Sequence, residues 1–303
     1  MQNLDFLFKR CQEIGPITAG FVYPCSQVAL SSCIEAYQQK IFTPLIIGPK
    51  ANIETIASTF GLDISPLTII DVKNEIDAAA TAATLAQQQQ IKCIIKGSLH
   101  TDILLHAILD NKYNLRTNAL LSSCCLMHLP TYNRLIFIAD MVINIAPDLA
   151  QKVHILENAV TMANSLGWKN PKVAVIAAVE NINFKMPATL DAAIMAKMGD
   201  RGQIKNCIID GPLDFDLAVS AVSAQIKQFK SPIMGDADIL ILPDLQAANS
   251  LYKEMVFMGG ADAADVILGA KIPIVVTSRS DDARTRLNSC AAAAIIAHQQ
   301  FKA

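Results

Sequence analysis

The sequence has no long uninterrupted apolar stretch, although 52% of its 303 residues are hydrophobic and its mean hydropathy is +0.35. Apolar runs such as 173–176 and 239–242 are cut by Pro, Asp or Lys well short of the roughly 20 residues that span a bilayer, so no transmembrane helix is expected. An excess of charge is also missing. With 25 basic and 27 acidic side chains the net charge is −2, which leaves no cationic field to attract nucleic acid or anionic lipid. The first ten residues lack the basic start and apolar core of a secretory signal, so a cytoplasmic protein is expected.

The eight cysteines, at 11, 25, 33, 93, 124, 125, 207 and 290, include no C-x-x-C pair, and the five histidines form no cluster. No metal site is therefore expected. The thiols read as small buried hydrophobes, with Cys93 and Cys207 inside strand-like runs, and the adjacent Cys124 and Cys125 have no basic sequence neighbour to stabilise a thiolate. Equally absent are G-x-x-x-x-G-K-[ST], G-x-S-x-G and a strand-coupled G-x-G-x-x-G, which argues against a P-loop NTPase, an α/β-hydrolase and a standard Rossmann dehydrogenase.

What is present is an apolar, weakly charged chain that must fold, long enough for two domains. Short Ile- and Val-rich runs alternate with longer amphipathic segments, the pattern of βα units around a largely parallel sheet, so the expected class is α/β. Strands are expected at 17–23, 44–47, 67–71, 93–95, 135–139, 172–179, 207–210, 239–242 and 272–277. Ser26 suits the N-cap of a helix reaching about Gln39, and Thr101 opens another. The polar segment 130–134 is the best domain crossing, with a second near 265–275, which gives domain I as 1–132 plus 268–303 and domain II as 133–267. The apolar last helix, from about Asp281, needs a sheet to cover.

In an open parallel sheet, ligands bind beyond the carboxyl ends of the strands. The residues expected there are Lys96-Gly97-Ser98, Asp140, Asp210-Gly211-Pro212, Pro243-Asp244 and Ser278-Arg279. Ser278 to Asp282 joins a guanidinium to a strand-to-helix turn, where free N–H groups and the helix dipole favour an anion such as phosphate. The same residues also suit an ordinary helix cap, with Ser280 as N-cap and two acids in the first turn. Lys96-Gly97-Ser98 pairs a charge with a glycine that permits close backbone approach. Asp210-Gly211-Pro212 reads first as a turn, and Asp140 and Asp244 suit helix caps.

Taken in order, these segments resemble the phosphate acetyltransferase and phosphate butyryltransferase family, more its butyryl branch, over nearly the whole chain. The resemblance rests on Lys96 through Asp102, on Asp140 with Asn144 to Asp148, and on Pro171 to Val175 followed by Glu180. It continues through Ala188-Thr189-Leu190-Asp191, Arg201-Gly202-Gln203-Ile204, Asp210 to Leu213, Asp236 to Leu240, Asn249 with Tyr252-Lys253, and Pro273 to Asp281. It implies two α/β domains with mainly parallel sheets and an interdomain cleft, akin to isocitrate and isopropylmalate dehydrogenases, and a homodimer formed through domain II. The implied reaction is reversible transfer of a short-chain acyl group, butyryl ahead of acetyl, between coenzyme A and phosphate, with coenzyme A as substrate and no metal, redox or prosthetic cofactor.

By resemblance, Arg279 grips the phosphoryl group, Ser278 orients the carbonyl oxygen, and Asp281 or Asp282 removes the thiol proton. Substrate contacts fall to Lys96, Gly97, Ser98, Thr101, Arg116, Asp140, Asp210, Gly211, Pro212, Asp244, Asn249 and Lys253. The chain departs from the family pattern at Ser123, Ala248 and Asp265, and the acetyl branch carries its acid nearer Thr285. Two alternatives stay open: a decarboxylating dehydrogenase of the same fold, and a silent acyl-CoA binding module.

Overall fold

The computed structural model describes residues 3–278 and 281–302. In chain order its elements are α1 (Asp5–Ile14), β1 (Ile17–Val22), α2 (Gln27–Gln38), β2 (Phe42–Gly48), α3 (Lys50–Phe60), β3 (Thr68–Asp71), α4 (Glu75–Gln87), β4 (Cys93–Lys96) and α5 (Thr101–Leu109). There follow β5 (Ser122–His128), β6 (Leu135–Ala139), α6 (Leu149–Leu166), β7 (Lys172–Ile176), α7 (Pro187–Asp200), β8 (Ile208–Leu213), α8 (Phe215–Val219), α9 (Ala221–Ile226), β9 (Ile239–Ile241) and α10 (Leu245–Phe257). The chain ends with β10 (Asp262–Leu268), β11 (Ile274–Val275) and α11 (Ala283–Gln300). These elements form two compact units, Leu4–Ala119 with Ala263–Ala303, and Leu120–Asp262.

In the first unit the strand order is β3-β2-β1-β4-β11-β10, parallel except that β10 runs antiparallel to β11. Local chemistry starts its helices. Ser26 accepts a hydrogen bond from Ala29 N at 3.3 Å to cap α2, and Asn74 accepts from Asp77 N at 2.9 Å to cap α4. Small side chains let α4 lie close on β1, β2 and β4, since Ala78, Ala79, Ala82, Ala83 and Ala86 form one buried stripe. Helix α11 is buried from Ala291 to Ala297 and packs on α1, α2, β4 and β11, so neighbours on several sides cover the apolar run that the sequence left needing a sheet.

In the second unit the order is β5-β6-β9-β7-β8, with β5 antiparallel to β6 and the rest parallel. Residues 130–134, expected to be a domain crossing, join β5 and β6, whereas the chain passes between units at Ala119 and Ala263. A capping box starts α6: Gln151 N donates to Asp148 Oδ1 at 2.8 Å, and Gln151 Oε1 accepts from Asp148 N at 2.9 Å. Lys152 on α6 pairs with Asp191 on α7 at 2.7 Å. Thr189 Oγ1 donates to the Met186 carbonyl at 2.8 Å and accepts from Asn183 N at 2.9 Å. Asp236 pairs with Lys172 Nζ at 2.7 Å, while Asp238 accepts from Arg134 Nη2 at 3.0 Å and Lys172 N at 2.9 Å. Asp191, Thr189, Asp236 and Asp238, all in family-like segments, are thus engaged in holding the fold.

Strands β5 and β10 were not expected from sequence. Both are almost wholly buried, so they lack inside-outside alternation; Ser, Cys and Met stand in β5 where β-branched residues are usual, and Asp and Ala open β10. Cys207 lies just outside β8, half-buried, with Sγ directed at Lys205 O at 3.5 Å. Asp210-Gly211-Pro212, expected as a turn, continues β8 past a bulge opposite Ala174 and Ile176. As the last strand in its order, β8 tolerates a proline without a backbone donor.

Candidate active site

Strand β11 lies beside β4 in parallel, with Val275 opposite Ile95, so their following segments leave the same edge of the first unit. A cavity of about 350 Å³ opens there, lined by Ser26, Val28, Ala29, Lys96, Gly97, Ser98, Thr277, Ser278 and Arg286. Four residues expected at the site, Lys96, Gly97, Ser98 and Ser278, are therefore brought together by the fold. Larger cavities, about 750 Å³ beside α6 and about 500 Å³ between α4 and α5, contain none of the residues expected at the site.

The walls are set by backbone packing as much as by side chains. A Cβ on Gly97 would lie 2.5 Å from Tyr23 O and 2.7 Å from Pro24 Cα, so the glycine lets the segment after β4 pack against the segment after β1. Ser98 Oγ then donates to Ser26 Oγ at 3.0 Å, bringing the capped start of α2 to the cavity. Lys96 Nζ donates to the Gly97 and Leu99 carbonyls at 3.3 and 3.1 Å.

Arg286, on the first turns of α11, was not expected from sequence. It is 9% exposed, and its guanidinium donates to Thr277 Oγ1 at 2.8 Å, Ser278 O at 2.6 Å and Asp281 O at 3.3 Å. The available signal was only a second cation, after Arg284, in the first turns of the last helix. Asp281 Oδ2 accepts from Ser278 N at 2.6 Å, which puts this carboxylate beside the cavity. The N-cap of α11 is Asp282, whose Oδ1 accepts from Thr285 N at 2.7 Å; this corrects the expectation that Ser280 caps the helix with two acids inside its first turn. Arg279 and Ser280 lie outside the described residues. Thr101 begins α5 and Arg116 donates to Asn111 Oδ1 at 3.1 Å; neither lines the cavity.

In the second unit, Asp140 is 4% exposed and its carboxylate is surrounded by donors. Oδ1 accepts from Ser123 N, Ser123 Oγ, Val142 N and Ile143 N at 3.2, 2.8, 3.0 and 3.1 Å. Oδ2 accepts from Asn144 N at 3.0 Å and Asn144 Nδ2 at 2.6 Å. Asp140 thus organises a turn rather than capping a helix. Asp244 does cap α10, accepting from Ala247 N at 2.9 Å, and Asn249 Nδ2 donates to Met141 O at 3.0 Å. Lys253 is exposed on α10, and Asp210 accepts from Gly211 N at 2.8 Å. A Cβ on Gly211 would meet Val175 O at 2.9 Å, so this glycine permits strand packing, and buried Pro212 follows it. Among the family departures, Ser123 is integrated through Asp140. Ala248 lies within α10 and Asp265 within β10, neither at positive φ, so neither place requires a glycine conformation.

Thiol chemistry is muted. Burial pushes Cys11 and Cys290 up to about 12, and Cys25 and Cys207 up to about 11, far from thiolate at neutral pH. Among the described residues, no group of three or more His, Cys, Asp or Glu side chains is arranged to hold a metal ion, and no helix is long and apolar enough to cross a membrane.

An α/β chain with a cationic, serine-lined cavity at the carboxyl ends of its strands is built to receive an oxyanion. A family model described as "Phosphate acetyl/butaryl transferase" matches residues 72–294. Phosphate acetyltransferase from Rhizobium meliloti is 40% identical over 293 residues, covering 97% of this chain and 93% of the relative. The "Probable phosphate butyryltransferase" of Bacillus subtilis (strain 168) is 41% identical over 233 residues, 77% of this chain and 78% of the relative. Among solved structures, a branched-chain phosphotransacylase from Enterococcus faecalis V583 superposes with a TM-score of 0.83 at 29% identity, covering 93% of this chain and 99% of that one. The chain belongs to the phosphate acetyl/butyryl transferase family, and it is an acyltransferase.

Proposed function

We propose that this enzyme transfers a short-chain acyl group reversibly between coenzyme A and phosphate within a ternary complex, with both acetyl and butyryl groups as substrates. The single observation that carries the reading is the cavity that Lys96, Gly97, Ser98 and Ser278 line together with Arg286. The thiolate sulfur of coenzyme A attacks the carbonyl carbon of the acyl phosphate; the C–S bond forms, the C–O bond to phosphate breaks, and phosphate leaves. Ser278 orients the carbonyl oxygen, Arg279 binds the phosphoryl oxygens, and Asp281, adjacent to Ser278, takes the thiol proton. The raised thiols support direct transfer, because a protonated cysteine is a poor nucleophile.

Exposed apolar side chains on the second unit, including Ile182, Phe184, Phe257 and Met258, support a homodimer formed through it. The substrates support a cytoplasmic location. The test is phosphate-dependent release of free thiol from acetyl-, propionyl-, butyryl- and longer acyl-CoA. Initial-rate lines should intersect in double-reciprocal plots; parallel lines, or an acyl group trapped on Ser278 or a cysteine, would reject the ternary complex.

A further inference from the structure

We propose that Arg286 is a positioning residue for acyl transfer: it fixes the segment bearing Thr277 and Ser278 from beneath and supplies that segment with a permanent charge which the bound oxyanion neutralises. The three acceptors of its guanidinium come from residues 277, 278 and 281, which bracket Arg279 in sequence. A side chain on the rigid α11 thereby sets the backbone on both sides of the catalytic arginine.

The second observation is electrostatic. All three acceptors are uncharged, a hydroxyl and two carbonyls, and Asp281, whose backbone carbonyl is one of them, turns its carboxylate to Ser278 N; among the described residues no ion pair within 4 Å joins Arg286 to a carboxylate. A buried charge is ordinarily paired, because desolvation leaves it far less stable than in water. A guanidinium has five N–H donors, and three are used here. The open side is the cavity that Arg286 shares with Lys96, so the missing counter-charge is supplied by a ligand, and a tetrahedral oxyanion suits a planar fork. The kinetic part of this inference rests on the acyltransferase reading; the anion-binding part does not.

The full-length protein with Arg286→Met, Arg286→Lys or Thr277→Val is compared with wild type in two assays. In thermal melts with and without inorganic phosphate, phosphate should raise the wild-type and Arg286→Lys melting temperatures and leave Arg286→Met unchanged. In steady-state kinetics, Arg286→Met should lose about 10²-fold in kcat, the scale of a misplaced reacting group, with KM for acyl-CoA within about threefold. Thr277→Val, which removes one acceptor, should lose about tenfold, and added guanidinium should restore part of the Arg286→Met loss. An unchanged phosphate response in folded Arg286→Met, or no response in wild type, overturns the proposal. If Arg286→Met does not fold, wild-type kcat in both Arg286→Lys and Thr277→Val overturns it. A wild type that releases no thiol refutes the acyltransferase reading instead, and the phosphate melts still decide the role of Arg286.

Discussion

Replacing Asp140 by Asn tests whether this residue works by organising its turn. The amide keeps one oxygen, which can stay with the four donors around Oδ1, from Ser123, Val142 and Ile143. Its NH2 group then faces Asn144 N and Asn144 Nδ2, where Oδ2 had accepted at 3.0 and 2.6 Å. Asn144 Nδ2 also holds Leu121 O at 2.9 Å, which restrains the amide from flipping to offer its oxygen. Two donors lose their acceptor in a site that is 4% exposed. At about 1–3 kcal/mol for each unsatisfied group, and allowing for relaxation, the loss is about 3 kcal/mol. On a unit of this size that lowers the melting temperature by roughly 6–12 °C. Calorimetry or circular dichroism measures the shift, and activity assayed well below the transition should fall far less than in Ser278 or Arg279 variants. A melting temperature within about 1 °C of wild type would refute the hydrogen-bond accounting.

Gly97→Ala should destabilise by about 1–3 kcal/mol and lower turnover, because its Cβ meets the backbone of Tyr23 and Pro24 and must displace the cavity wall; urea unfolding with parallel kinetics checks both. Arg279→Lys should stay folded and lose about 10²–10³ in turnover, since a point charge cannot reproduce bidentate phosphate contact, and near-wild-type kinetics would remove that role. Stability should fall above about pH 9: Cys11 and Cys290 are pushed from 9.0 to about 12, so the unfolded chain loses these protons while the folded chain keeps them. Unfolding then releases protons, and melting temperatures should decline from pH 9 towards 12; a rise over that window contradicts the burial of these thiols.

Much of the site was legible because βα chemistry is local. Strand ends read from Ile and Val runs at 93–95 and 272–277 placed Lys96-Gly97-Ser98 and Ser278 at one sheet edge, where the fold opens a cavity, and Ser26 and Asp244 announced their caps through residue type alone. Membership of the acyltransferase family was legible too, because motifs in order carry more information than any one spacing.

Tertiary structure decided what those residues touch. Burial of β5 and β10 on both faces erased the alternation that marks a strand, so neither was visible as a pattern. Gly97 and Gly211 could be recognised as special, but the backbone that each must approach comes from elsewhere in the chain. Asp140 is 17 positions from Ser123, and its engagement by that residue depends on the β5–β6 pairing. Arg286 gives the clearest case. In sequence it is one more cation near a helix start, whereas folding buries it and joins it to residues 277, 278 and 281 through uncharged acceptors, with no direct ion pair to a carboxylate among the described residues. Residue type and order specify which groups can do chemistry. Long-range packing specifies which are desolvated and what they hold, because burial and charge compensation are properties of neighbours distant in the chain.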